Sequence, residues 1–133
     1  MSNVLKQNKV IKENFGRESE KKILKEYLSD GYELVAMNFQ YYAKGRSGRK
    51  GEIDLIVKKN KVLVLIEVKA RNNERFGSVL EQVNYTKIQA IKKTYNYFIA
   101  CHLIYKNYFV RVDLASIYKG EVSIIKNAVS FDL

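Results

Sequence analysis

Two spacings of apolar residues divide the chain. Between Gly16 and Asp30, Ile23, Leu24, Tyr27 and Leu28 recur every three or four positions, which predicts an amphipathic helix, and Gly31 stands where such a helix stops. ELVAMNFQ, Glu33 to Gln40, reads as a strand, and YAKGRSGRKG, Tyr42 to Gly51, as a glycine-rich basic loop. The centre, Gly51 to Arg71, holds two β-branched runs, GEIDLIV and VLVLIEVKA, around a polar KKNK turn, which predicts a β-hairpin. After NNERFGS, Asn84 is placed to cap a second helix whose buried stripe is Ile88, Ile91, Tyr95 and Phe98. Two further strands are expected near YFVRVDLA and EVSII. The fold class this order predicts is α/β, or mixed α+β: a central mixed sheet flanked by helices.

Residues 1–14 read as a loose basic arm, which leaves 15–133 as one domain, a reasonable division for 133 residues without repeats or a proline-marked linker. A composition of 47% apolar and 29% charged residues is that of an ordinary globular chain. The longest apolar run is interrupted by Glu67, so no segment reaches the roughly 20 apolar residues of a spanning helix. The N-terminal stretch lacks the apolar core of a secretory signal, so the expected setting is cytoplasmic, with no membrane partner. A single cysteine, Cys101, excludes an intramolecular disulfide and a cysteine-rich zinc site. A single histidine, His102, excludes multi-histidine metal sites. Charge narrows the picture further. Lys and Arg number 24 against 14 Asp and Glu, a net charge of +10, which favours a polyanionic partner such as nucleic acid over a merely soluble basic protein.

The central hairpin concentrates acids. Strict alternation puts Ile53, Leu55 and Val57 on one face of the first strand and Glu52, Asp54 and Ile56 on the other. In the second strand Leu63, Leu65, Glu67 and Lys69 share a face. A two-residue turn at Asn60-Lys61 sets Asp54 directly across from Glu67 on that face. Opposed carboxylates repel unless something positive lies between them. Mg²⁺ (or Mn²⁺) is a natural occupant, because it takes one or two protein carboxylates and keeps waters that can attack a phosphate. Lys69 is then placed to orient such a water or to stabilise charge developing on the phosphate. The competing account is an internal ion-pair network.

Glu20 lies on the stripe of the first helix, where it is either a third acid of the site or an acid at the helix's favourable N-terminal margin. Glu52 is a weaker further candidate at the strand's start. Lys87 stands at the start of the second helix, facing either a phosphate or solvent; Arg71, at the strand exit, has the same two readings. Arg111 and Asp113 share a strand face and are expected to pair. Cys101 is expected as a small buried hydrophobe, and His102 as a satisfied or exposed histidine rather than a ligand. Lys44, Arg46, Arg49 and Lys50 form a basic cluster without acids in the Tyr42–Gly51 loop, either a phosphate-binding surface or a solvated segment.

The arrangement Glu20, Asp54 and Glu67-Val68-Lys69 resembles the PD-(D/E)XK nuclease superfamily. Gly16 with Glu20, Gly31-Tyr32, Asn38, GEIDLI, IEVKAR, Phe76-Gly77, Lys87 and RVDL resemble more closely the YraN-like family of small bacterial proteins, which are similar to Holliday-junction resolvases. The resemblance spans about Gly16 to Phe131. It implies a restriction-endonuclease-like core and Mg²⁺-dependent hydrolysis of phosphodiester bonds in DNA, with branched or structured DNA as the expected substrate. By the same resemblance Asp54, Glu67 and Glu20 would be metal ligands and Lys69 the catalytic lysine, and a homodimer could address two strands. A non-catalytic nucleic-acid-binding module on the same fold is the alternative. Nothing in the residues separates DNA from RNA.

Overall fold

The computed structural model describes residues 18–42, 49–70 and 84–129. The expected N-terminal arm therefore lies outside the described residues. Helix α1 covers 18–29 and ends at Gly31, whose φ of 90° is the left-handed conformation that glycine adopts freely. Strands β1 (Glu33–Tyr42), β2 (Arg49–Lys59) and β3 (Val62–Ala70) follow, then helix α2 (Tyr85–Cys101). A short 3₁₀ turn (Leu103–Tyr105) leads into β4 (Phe109–Tyr118) and β5 (Glu121–Ile125). Asn84 caps α2 as its residue type predicts, its side chain accepting the Lys87 N–H at 2.9 Å.

Among the described residues the strands form one sheet in the order β1-β2-β3-β4-β5. All neighbours are antiparallel except β3 and β4, which are parallel and joined through α2. The mixed sheet between helices is the predicted class, and it is consistent with a restriction-endonuclease-like fold. At the β2–β3 hairpin Asn60 (φ 50°) and Lys61 (φ 63°) both take left-handed conformations, as a two-residue hairpin turn requires. The predicted register follows: Leu55 pairs with Ile66, Ile56 with Leu65 and Val57 with Val64. Lys119 (φ 48°) and Gly120 (φ 80°) turn the β4–β5 hairpin in the same way.

Each face of the sheet carries its own core. Leu55, Val57, Val64, Ile66 and Ala115 pack with Ile23 and Tyr27 of α1. Ile56, Leu63, Leu65 and Val112 pack with Ile91, Tyr95 and Phe98 of α2. Gly51 lets α2 come close, since a Cβ there would stand 2.1 Å from Thr94 Oγ1 and 3.0 Å from the Ala90 carbonyl oxygen.

Three expectations need correction. Ile53 does not share a face with Leu55 and Val57; it packs in the α2 core with Ile56, so strict alternation fails at Asp54. The cause lies across the strand pair. Asn38, flanked by the pairs Met37–Leu55 and Phe39–Ile53, has φ 52°, and beyond it Phe39 also turns to the α2 core. A left-handed residue re-phases the side chains of a strand. Second, the loop expected over Tyr42–Gly51 is shorter, because β1 reaches Tyr42 and β2 begins at Arg49. Third, Cys101 is exposed rather than buried, because it is the last residue of α2, where the helix runs out of the core.

Candidate functional site

The regular β2–β3 ladder ends at Leu55–Ile66, and the next residue of each strand is an acid. Just beyond the last pair, Asp54 Oδ2 accepts the backbone N–H of Val68 at 2.8 Å, so a side chain takes over where the backbone pairing stops. Glu67 is 3% exposed, between Leu65 of the α2 core and Lys69 along the strand. Its Oε2 lies 3.0 Å from Lys87 Nζ of α2 and 3.7 Å from Lys69 Nζ. Its Oε1 is buried and has no hydrogen-bond partner among the described residues.

The electrostatics follow from this enclosure. Burial first, and then the Glu67 charge, push the Asp54 carboxyl up to about 7, against the opposing effect of the Val68 N–H. Burial also raises Glu67, while Lys87 and Lys69 pull it back. Glu52 adds a smaller repulsion to both acids. A half-buried and a buried carboxyl thus compete for limited positive charge, and a proton, a lysine or a cation could each supply it.

The donor set suits a hard divalent cation in two respects. Asp54 and Glu67 are close enough to repel, and Glu67 retains an unsatisfied buried oxygen. It falls short in a third, since no group of three or more His, Cys, Asp or Glu side chains able to hold a metal occurs among the described residues. Glu20 is buried at 8% exposure on α1, one turn before Ile23, whose helix packs on the face opposite α2. The sequence places Glu20 correctly on the buried stripe, but the structure does not gather it with Asp54 and Glu67 into a three-acid group.

Lys87 is the residue whose role differs most from expectation. It was expected to face phosphate or solvent; in the structure it reaches Glu67. The signal was present in the spacing, because Lys87 precedes Ile91 by one turn and so begins the buried stripe of α2. Lys44, Arg46 and Arg71 lie outside the described residues. Arg49 and Lys50 open β2, where the description covers their backbone only.

A second polar network, centred on Asp113, is structural. Arg111 and Asp113 pair as expected, through Nε at 2.8 Å and Nη2 at 2.9 Å. Asp113, fully buried, also accepts the Tyr27 hydroxyl at 2.7 Å and the Asn127 N–H at 2.9 Å, tying α1 and the end of the chain to β4. This network raises the Tyr27 phenol, through burial and then the Asp113 charge. His102 is exposed, stacks on Phe98 at 4.3 Å and lies 3.0 Å from its carbonyl oxygen through Nδ1, the satisfied histidine expected.

A mixed sheet covered on both faces, with a half-buried and a buried acid where its central hairpin opens, defines the class of domain. The chain belongs to the uncharacterised protein family UPF0102, whose model matches residues 19–117 and so includes Glu20, Asp54, Glu67 and Lys69. This is the YraN-like family that the motifs resemble. A UPF0102 protein of Caldicellulosiruptor bescii is 41% identical over 91 residues, 68% of this chain and 71% of that protein. One of Thermodesulfovibrio yellowstonii is 37% identical over 113 residues, covering 85% and 93% of the two chains. One of Fusobacterium nucleatum is 36% identical over 114 residues, covering 86% and 89%. No helix among the described residues is long and apolar enough to cross a membrane.

Proposed function

We propose that the protein is a metal-dependent endonuclease that hydrolyses phosphodiester bonds in DNA, with branched or structured DNA as its substrate. The observation that carries this reading is the pair of a half-buried Asp54 and a buried Glu67 at the opening of the hairpin, with Lys69 beside it. Asp54 and Glu67 would hold Mg²⁺ (or Mn²⁺); the family resemblance offers Glu20 as a third acid, which the structure does not gather with them. The ion supplies Lewis-acid polarisation of a phosphoryl oxygen and a bound water of lowered pKa. Lys69, 3.7 Å from Glu67, orients the attacking water or offsets negative charge developing on the phosphate. Lys87 holds the Glu67 carboxylate from the helix side. The net charge of +10 favours a polyanionic substrate.

One observation favours the alternative, a nucleic-acid-binding module without turnover. Lys87 at 3.0 Å already neutralises Glu67, so the acid can be satisfied without a metal. Glu67→Gln separates the two readings. Cleavage of branched, duplex and single-stranded DNA and RNA is followed with Mg²⁺, Mn²⁺ or EDTA. A nuclease cleaves only with the metal and falls by at least about a hundredfold in Glu67→Gln, while DNA affinity is kept or raised because a negative charge near phosphate is removed. Lys69→Ala lowers turnover while calorimetric metal binding persists. Cleavage that continues in EDTA excludes the metal mechanism, and binding without cleavage of any substrate establishes the module.

A further inference from the structure

The end of the sheet remote from the acids carries a second concentration of charge. The turn Asn60-Lys61 lies six residues beyond Asp54 along β2, about 20 Å at the rise of a strand. There Gly31, Glu33, Lys58, Lys59, Asn60, Lys61 and Tyr108 enclose a pocket of about 280 Å³. Three segments meet at it: the α1–β1 junction, the hairpin turn and the entry to β4.

Each lysine of the pocket is held over a tyrosine ring. Lys58 Nζ lies 5.6 Å from the centroid of Tyr105, Lys59 Nζ 5.1 Å from that of Tyr32, and Lys61 Nζ 5.0 Å from that of Tyr108. Such contacts fix an ammonium group without cancelling its charge. Carboxylate compensation is slight: Glu33 is itself largely exposed and only approaches Lys58, at 3.7 Å. Lys59 spends one donor on the Asp30 carbonyl oxygen. Beside the pocket, Phe109 is bound through its backbone N–H to the Lys61 carbonyl oxygen at 2.9 Å, yet its ring is 77% exposed. An open aromatic ring on the residue adjoining the pocket, together with the fixed cations, is the combination that holds a single nucleic-acid strand, bases stacking on the ring and phosphates meeting the charges.

We propose that this pocket is a second binding site, for a phosphate of single-stranded nucleic acid whose neighbouring base stacks on Phe109. The identity of the ligand as a strand, rather than a free anion, rests on the nucleic-acid reading above; the pocket itself does not involve the acid pair. A strand held here and at the acids would be gripped at two points about 20 Å apart.

The test uses the full ¹⁵N-labelled chain in EDTA, titrated with a single-stranded DNA hexanucleotide or with inorganic phosphate. The hexanucleotide is expected to shift the amides of Gly31, Asn60, Lys61, Tyr108 and Phe109, at concentrations well below those inorganic phosphate needs. Replacing Lys58 and Lys61 by Ser should weaken hexanucleotide binding about fivefold and flatten log affinity against log salt by about 1.4, or about 0.7 per lost contact. Phe109→Ser should weaken binding without changing that slope. Lys58→Arg with Lys61→Arg retains the charge and should retain binding, which guards against a folding defect. Absence of shifts at these amides, equal potency of inorganic phosphate, or loss of binding in the Arg pair overturns the proposal. Cleavage by the wild type with no shift at the pocket overturns this inference alone, whereas pocket binding in a chain that cleaves nothing leaves it standing and removes only the nuclease reading.

Discussion

Asp54 and Glu67 show how two residues set the behaviour of a site. Neither carboxyl has access to enough water or enough cationic charge to ionise comfortably, so folding raises both affinities for protons. The consequence for stability has a definite sign. A carboxyl whose folded pKa is raised binds its proton more tightly in the native state, so its stabilising contribution is complete in acid. That contribution is lost as pH climbs from the ordinary carboxylate range through the folded value of about 7 for Asp54. In EDTA, the melting temperature of the wild type relative to that of Asp54→Asn should therefore fall between about pH 4 and pH 8, by roughly 5 °C or more. Mg²⁺ should restore most of the difference at the alkaline end, where it replaces the missing proton. A flat or rising difference in EDTA contradicts the enclosed acid pair. Part of this was legible: the Asn-initiated two-residue turn was enough to bring Asp54 and Glu67 to the same end of the hairpin, although the alternation used to assign their faces fails at Asp54. The Lys87 contact is not legible in the same way, because a lysine at the start of a helix suits phosphate or solvent equally, and only the packing of α2 on the sheet turns it toward Glu67.

At the scale of elements, the central hairpin and α2 position the site, and their meeting point is Gly51. The β3, α2 and β5 segments were readable because local signals agreed: β-branched runs, an Asn cap that accepts its N–H, and a clear apolar stripe. The face of Ile53 was not readable, because the residue that changes the phase, Asn38, belongs to the neighbouring strand and a period-two pattern cannot see it. The glycine of GEIDLI closes the Tyr42–Gly51 segment, for which the sequence offers two readings, a phosphate-binding surface or a solvated loop. Its structural role is instead to admit α2, with Thr94 Oγ1 standing where a Cβ would be. Gly51→Ala should accordingly force α2 outward at a cost of about 1–3 kcal/mol, lowering the melting temperature by roughly 5–15 °C. Adding Thr94→Ala removes the closest atom and should recover part of the loss. A Gly51→Ala chain that melts with the wild type would show that the helix has room to spare.

For the whole molecule, the excess of ten positive charges is the largest unspent quantity, and its placement would decide how the proposed polyanionic substrate is held. Several cations are committed internally: Arg111 to Asp113, and Lys69 and Lys87 to Glu67. Lys44, Arg46, Arg49 and Lys50 fall in a stretch with no acidic residue that runs into the strand bearing Asp54. A phosphate held by that stretch would lie on the approach to the acids, while one held at the Asn60-Lys61 turn would lie at the other end of the same hairpin. The two surfaces are separable by salt dependence. Replacing Lys44, Arg46, Arg49 and Lys50 by Ser should weaken duplex binding and reduce the slope of log affinity against log salt by about 0.9 for each phosphate contact removed. The melting temperature should stay within about 2 °C of the wild type if these side chains serve binding rather than packing. The Lys58 and Lys61 replacement should act mainly on single strands, because its partner ring, Phe109, needs an unpaired base. If the four-residue replacement leaves slope and affinity unchanged, the basic stretch is excluded from the proposed binding surface, and the charge that would attract a polyanion lies elsewhere on the molecule.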